Sequence, residues 1–182
     1  MRKVRYVVAA SLDGYIAGPN GEADWIVMDP EVNFEELWGQ FDTLLMGRRT
    51  YEAAVTRLGS GAVQRMKVII VSRTLRHPDY PNITIVPEFD RDQMQALRTE
   101  SGKDIWLCGG GELFRSLLEM RQVDTVEVSI MPVLLGGGVR LLPPPSQETK
   151  LTLSGHKIYG SGIVSLICQV HAPNPSTLKP EI

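Results

Sequence analysis

Ile105-Trp106-Leu107-Cys108-Gly109-Gly110-Gly111-Glu112 is the stretch that decides how this chain is read. A short apolar run reads as a buried strand, three glycines follow, and an acid opens a helical segment that runs to Met120. Consecutive glycines cost backbone entropy, so their use marks a positive φ or a close approach to the backbone. Successive amides at a helix start form a nest for anions. A plain strand-to-helix turn uses the same residues, so the neighbouring junctions decide the meaning.

Two other junctions share the plan. Met46-Gly47-Arg48-Arg49-Thr50-Tyr51 follows Thr43-Leu44-Leu45, and Ser72-Arg73-Thr74 follows Val68-Ile69-Ile70-Val71. In an open sheet, the carboxyl ends of such strands gather along one edge, where ligands bind. Arginines beside a helix start can grip a phosphate through two hydrogen bonds, and Thr50 can cap the helix or bond the same phosphate. Arg73, at the end of a buried strand, has the planar fork suited to a 2′-phosphate. The glycine run is not the usual dinucleotide fingerprint, because Phe114 stands where the third glycine belongs. Ser101-Gly102-Lys103-Asp104 likewise lacks the upstream glycine and the hydroxyl of a Walker loop.

Outward from these junctions the chain alternates. Val4 to Ala10 reads as a strand ending in the turn Ser11-Leu12-Asp13-Gly14. Asp29-Pro30-Glu31 reads as a helix start, with Phe34, Leu37, Trp38 and Phe41 on its buried face. Helices are expected over 50–58, 91–99 and 112–120, and strands over 43–46, 68–71, 83–86, 105–108 and 125–130. Val126, Val128 and Ile130 then share one face. Strands over 150–158 and 163–170 close the chain as an antiparallel pair. The pattern implies an α/β fold whose mostly parallel central sheet is flanked by helices and ends in an antiparallel hairpin. One domain over 1–171 is expected, with residues 172–182 a flexible C-terminal tail.

Composition excludes several classes. The formal net charge of −2 offers no basic excess for nucleic acid. The chain lacks an apolar run long enough for a membrane span or a signal peptide, so a cytoplasmic location is expected. Cys108 and Cys168 fit buried thiols rather than a disulfide framework. His77, His156 and His171 are scattered, so neither a metal site nor a histidine triad is expected. The acids near the first strand are Asp13, Asp24, Asp29 and Glu31. Caps and solvated charges account for most such acids, and Asp13-Gly14 also fits a simple turn. Trp25 fits either a pocket wall or the core, and Gly136-Gly137-Gly138 either a ligand approach or a crossing loop.

Taken in order, Ser11-Leu12-Asp13-Gly14-Tyr15-Ile16-Ala17, Leu45 to Glu52, Val71 to Thr74, Leu107 to Gly111 and Pro132 to Gly138 resemble one family. It is the reductase-domain branch, related to the C-terminal half of the bifunctional riboflavin-biosynthesis deaminase/reductase, of the dihydrofolate-reductase-like fold. The resemblance spans Val4 to about Val170. It implies NADPH, with Gly47, Arg48, Arg49, Thr50, Gly109, Gly110, Gly111 and Glu112 around the pyrophosphate and Ser72-Arg73 near the 2′-phosphate. Ala9, Ala10, Ile16 and Ala17 fall near the nicotinamide. A homodimer and a small-molecule substrate are implied too. The expected reaction is hydride transfer to a phosphoribosylamino-pyrimidine, without the zinc signature of a deaminase. Asp13 is the first catalytic candidate and Glu31 the second, with Asp29 open beside it. A pterin reductase of the dihydrofolate type and a non-catalytic NADPH-binding module are the alternatives.

Overall fold

The structure is a computed structural model and describes residues 1–58, 66–76 and 83–171. The expected tail at 172–182 and His77 lie outside the described residues. Ten strands are described, β1 Val4–Ser11, β2 Tyr15–Ala17, β3 Phe41–Gly47, β4 Lys67–Val71, β5 Ile83–Val86, β6 Asp104–Gly109, β7 Thr125–Met131, β8 Val139–Arg140, β9 Leu151–Ile158 and β10 Val164–Val170. The described helices are α1 Phe34–Trp38, α2 Arg48–Leu58, α3 Arg91–Thr99 and α4 Gly111–Glu119.

Eight strands form one sheet in the order β5-β4-β3-β6-β1-β7-β10-β9. From β5 to β7 every neighbouring pair is parallel, and β10 and β9 join antiparallel at the end. This is the expected mostly parallel sheet closed by a hairpin. β2 and β8 form a separate two-stranded ladder that the sequence reading did not contain.

Strand alternation sends successive side chains to opposite faces. Val4, Tyr6, Leu45, Ile69, Leu107 and Val126 pack with Met94 and Leu97 of α3 and Phe114 and Leu117 of α4. Tyr6 stacks on Phe114 with ring centroids 3.8 Å apart. On the other face, Leu44, Met46, Val68 and Ile70 pack against Tyr51 of α2, with Trp106 and Cys108 alongside. That second face also holds an ion pair on β1 and β7. Arg5 Nε and Nη2 donate to the two carboxylate oxygens of Glu127 at 2.6 and 2.8 Å, and Thr125 Oγ1 donates to Glu127 Oε1 at 2.7 Å. The Arg5 guanidinium also lies 4.7 Å from the ring centre of Phe41.

Local chemistry explains where helices begin. Asp90 accepts from the Gln93 amide at 2.7 Å while Gln93 Oε1 accepts from the Asp90 amide, a capping box that starts α3 on the expected residue. The start expected at Asp29 is corrected. The Asp29 carboxylate takes the amides of Glu31 at 2.8 Å and Ser161 at 3.1 Å, so the chain turns there. Asn33 caps instead, accepting from the Glu36 amide at 3.0 Å, and α1 is only five residues long. Phe41, expected on that helix, opens β3. None of the α1 side chains is buried in the core, which leaves Phe34, Leu37 and Trp38 fronting a cleft. No described helix is long and apolar enough to cross a membrane.

Candidate active site

Because β4, β3 and β6 are adjacent and parallel, their carboxyl ends lie on one edge. The three junctions therefore meet. A Cβ built on Gly47 falls 3.8 Å from the Gly110 amide nitrogen, and one on Gly110 falls 3.6 Å from Thr50 Oγ1. Arg48 reaches across to the turn after β4, where Nη1 donates to Thr74 Oγ1 at 2.8 Å, while Nε pairs with Glu52 at 2.6 Å. Ser72 Oγ accepts the Leu75 amide at 2.9 Å and shapes the turn after β4. Arg49 and Arg73 are exposed on the cleft and make no ion pair among the described residues.

The glycines divide the work. Gly109 has φ +107°, a conformation that disfavours any other residue, and lies against Tyr6 and Ile16. Gly110 is the N-cap of α4 and supplies no side-chain hydrogen bond, so the first amides of a nine-residue helix stay open to an anion. Gly111 is needed for another reason. A Cβ there runs into the carbonyl of Arg140 and the ring of Pro143, so this glycine admits the chain after β8 rather than a ligand.

The cleft continues from this edge along the second sheet face. Its floor includes Val7 and Ala9 of β1, Met46 of β3, Trp106 and Cys108 of β6, and Ser129 and Met131 of β7, with Ile163 beside them. Phe34, Leu37 and Trp38 of α1, with Ile26, line it further. Trp106 Nε1 donates to the Val7 carbonyl at 2.9 Å. Burial pushes the Cys108 thiol well above its ordinary range, which leaves it a neutral, weak hydrogen-bonding group. The Ser129 and Ser165 hydroxyls are 2.7 Å apart.

Gly47 to Thr50, Ser72-Arg73, Gly110 to Glu112 and Ile16-Ala17 all line this one cleft, and Gly109 adjoins it through Ile16. The structure does not bring in Ala10, which is buried, on the same alternation as Tyr6, against the opposite layer; Ala9 faces the cleft instead. Neither Asp13 nor Glu31 lines the cleft. Asp13 accepts from Ser11 Oγ at 2.6 Å and from the amides of Gly136 at 2.7 Å and Leu135 at 3.1 Å. The Ser11 hydrogen bond, followed by those from Gly136 and Leu135, holds its carboxyl below the ordinary value. Asp13 thus fastens the loop at 133–138 to the end of β1. Glu31 is exposed and pairs with Lys157 at 3.6 Å. Asp29 is buried and its carboxyl is likewise held low, first by Ser161 and then by the Glu31 amide. It ties the turn before α1 to the tip of the β9–β10 hairpin. Trp25 donates Nε1 to the Glu22 carbonyl at 3.1 Å and stays outside the cleft lining.

Residues 2–165 match the family described as the RibD C-terminal domain. The chain belongs to that family. Among relatives, the uncharacterized protein YyaP of Bacillus subtilis (strain 168) is 31% identical over 177 residues, covering 91% of this chain and 94% of YyaP. Among solved structures, a proposed riboflavin biosynthesis protein of Shewanella sp. PV-4 superposes with a TM-score of 0.78 at 22% identity, covering 94% of this chain and all of that one. The dihydrofolate reductase of Enterococcus faecalis, solved with NADP(H), superposes with a TM-score of 0.66 at 14% identity, covering 93% and 97%. The fold is dihydrofolate-reductase-like, and membership of this RibD reductase-domain family supports an oxidoreductase.

In this RibD-type chain the sequence reading missed the α1 side chains as a cleft wall and Ser129 as part of the floor. The first followed from reading α1 as a core helix. The second had a signal: Ser129 interrupts a valine- and isoleucine-rich strand on the face opposite Val128 and Ile130.

Proposed function

We propose that this protein is an NADPH-dependent reductase acting in the cytoplasm on a phosphoribosylamino-pyrimidine of the riboflavin type or a related flat heterocycle. The observation that carries the proposal is the meeting of three parallel strand ends at one edge. There an open helix N-terminus and two exposed arginines adjoin a mostly apolar floor. The residues fit the cofactor. Gly110 to Glu112 offer amides to a pyrophosphate, Arg49 beside Thr50 offers a cation to it, and Arg73 after Ser72 suits the 2′-phosphate that separates NADPH from NADH. When bound, NADPH supplies the hydride. The chain's own part is to hold two flat rings together in a cleft walled by Ile16, Phe34 and Trp38, and to exclude water from them.

A homodimer belongs to the same proposal. Leu151, Leu153 and Ile158 are exposed on β9, the last strand of the sheet. Sedimentation as a 20.2 kDa particle at micromolar concentration refutes that part.

A second reading, an NADPH-binding module without turnover, draws on one observation: neither Asp13 nor Glu31 lines the cleft. The experiment that separates the readings is titration with NADPH and NADH of wild type and Arg73→Ala, followed by turnover assays on the pyrimidine and on dihydrofolate. Selective NADPH binding, weakened about tenfold or more by Arg73→Ala, is the expected result. No binding of either nucleotide refutes the cofactor site. Binding without turnover on either substrate favours the module.

A further inference from the structure

We propose that Ser129, oriented by Ser165, is the hydrogen-bonding anchor for the substrate in the apolar half of the cleft. The inference rests on the reductase reading above and names the group on the protein that this reading leaves unassigned.

On β7, Val126 and Val128 turn toward α4, while Thr125, Glu127 and Ser129 turn to the cleft side. Thr125 and Glu127 are absorbed in the Arg5 network. Ser129 stands next to Ala9 of β1 and opposite Ser165 of β10 in register. The side chains around it on the floor are Val7, Ala9, Met131 and Ile163, with Cys108 and Trp106 farther along the sheet. Trp106 has spent its N–H on Val7, and the Cys108 thiol stays neutral. Among the described floor residues, Ser129 therefore carries the strong hydrogen-bonding group that remains.

The serine pair is suited to an acceptor on the ligand. Two hydroxyls bring two protons, and at 2.7 Å only one of them is committed to the bond between them. The remaining proton is available to a carbonyl oxygen or ring nitrogen. Ser165, fixed on the neighbouring strand, also sets the direction of the Ser129 hydroxyl before a ligand arrives, so little rotamer freedom is lost on binding. A heterocycle that buries its ring on this floor without such a partner leaves a desolvated heteroatom unpaired. The pair therefore selects flat heterocycles with an acceptor facing β7, and it discriminates against isosteres that lack one.

The test uses Ser129→Ala, Ser165→Ala and Ser129→Thr in the full chain. The probes are 5-amino-6-(5-phosphoribosylamino)uracil and dihydrofolate, assayed by turnover and by calorimetric binding to the NADPH complex. Ser129→Ala is expected to raise KM and the probe's Kd about 10- to 100-fold, with NADPH Kd and melting temperature unchanged. Ser165→Ala is expected to have a smaller effect in the same direction, and Ser129→Thr to recover most of the loss. Wild-type KM and Kd in Ser129→Ala overturn the proposal. Failure of wild type to bind either probe also overturns it, whereas intact NADPH binding in that case leaves the cofactor reading standing. Loss of NADPH binding in wild type is the separate failure of the reductase reading itself.

Discussion

Replacing Gly47 by alanine should separate the fold from the cofactor site. Gly47 ends β3, and a Cβ there meets nothing closer than the Gly110 amide nitrogen at 3.8 Å and the Gly109 carbonyl at 4.0 Å. These are ordinary van der Waals distances, and φ at Gly47 is not in the left-handed region. The folded state has room for the methyl group. Removing a glycine also narrows the unfolded ensemble, so stability is expected to change by less than about 1 kcal/mol, with a gain as the more natural sign. The same methyl group stands between the two junctions, in the space proposed for the pyrophosphate. NADPH Kd should therefore rise at least about tenfold, or about 1.4 kcal/mol. Gly111→Ala is the control with opposite character. Its Cβ meets the backbone carbonyl of Arg140, which cannot swing aside, so a loss of about 1–3 kcal/mol is expected on overpacking grounds. Urea denaturation and NADPH fluorescence titration on both variants read the two quantities. Unchanged NADPH affinity in a fully folded Gly47→Ala protein would refute the placement of the cofactor between β3 and β6.

Two predictions concern electrostatics. Asp13 has its carboxyl held below the ordinary value of 3.8, so it stabilises the fold above that value and loses the contribution as pH falls through its lowered folded value. Acid denaturation monitored below about pH 4 should be less steep in Asp13→Asn than in wild type, and an identical pH dependence refutes the clamp on the 133–138 loop. Glu127→Ala leaves the Arg5 guanidinium, whose side chain is 15% exposed, without its bidentate partner, although Gln40 and Asp104 still touch it. The expected cost is about 3 kcal/mol in chemical denaturation, with the double variant Arg5→Met/Glu127→Leu recovering most of it. A double variant no more stable than Glu127→Ala refutes that account.

The sheet was readable because β3, β4 and β6 are each a short apolar run followed by a glycine- or arginine-bearing junction, and one physical cause yields both. A parallel strand buried on both faces needs apolar residues throughout, and its carboxyl end must turn at once into a covering element. What escaped the reading was set by tertiary partners. Asp29-Pro30-Glu31 has the composition of a helix start, yet Ser161, 132 residues on, supplies an amide to Asp29 and makes the segment a turn. β2 and β8 span three and two residues, too short for any period to show. Asp13 drew attention as an acid after a strand, but its carboxylate is saturated by Ser11, Leu135 and Gly136, two of them over 120 residues away. The junction residues that line the cleft were legible because backbone geometry constrains them locally. The far wall of the cleft depends on which side chains the short α1 fronts, and local sequence says little of that.

β1 precedes every other strand in chain order, yet it lies inside the sheet. Its two neighbours are β6, paired through Val4 and Ile105, and β7, paired through Tyr6 and Val126. Until residue 131 has been made, one side of β1 has no partner, and before residue 105 neither side does. β1 therefore keeps an unpaired edge until β7 is in place. A chain ending ahead of β7 is expected to appear as a species captured by chaperones or lost to aggregation rather than as a smaller folded unit.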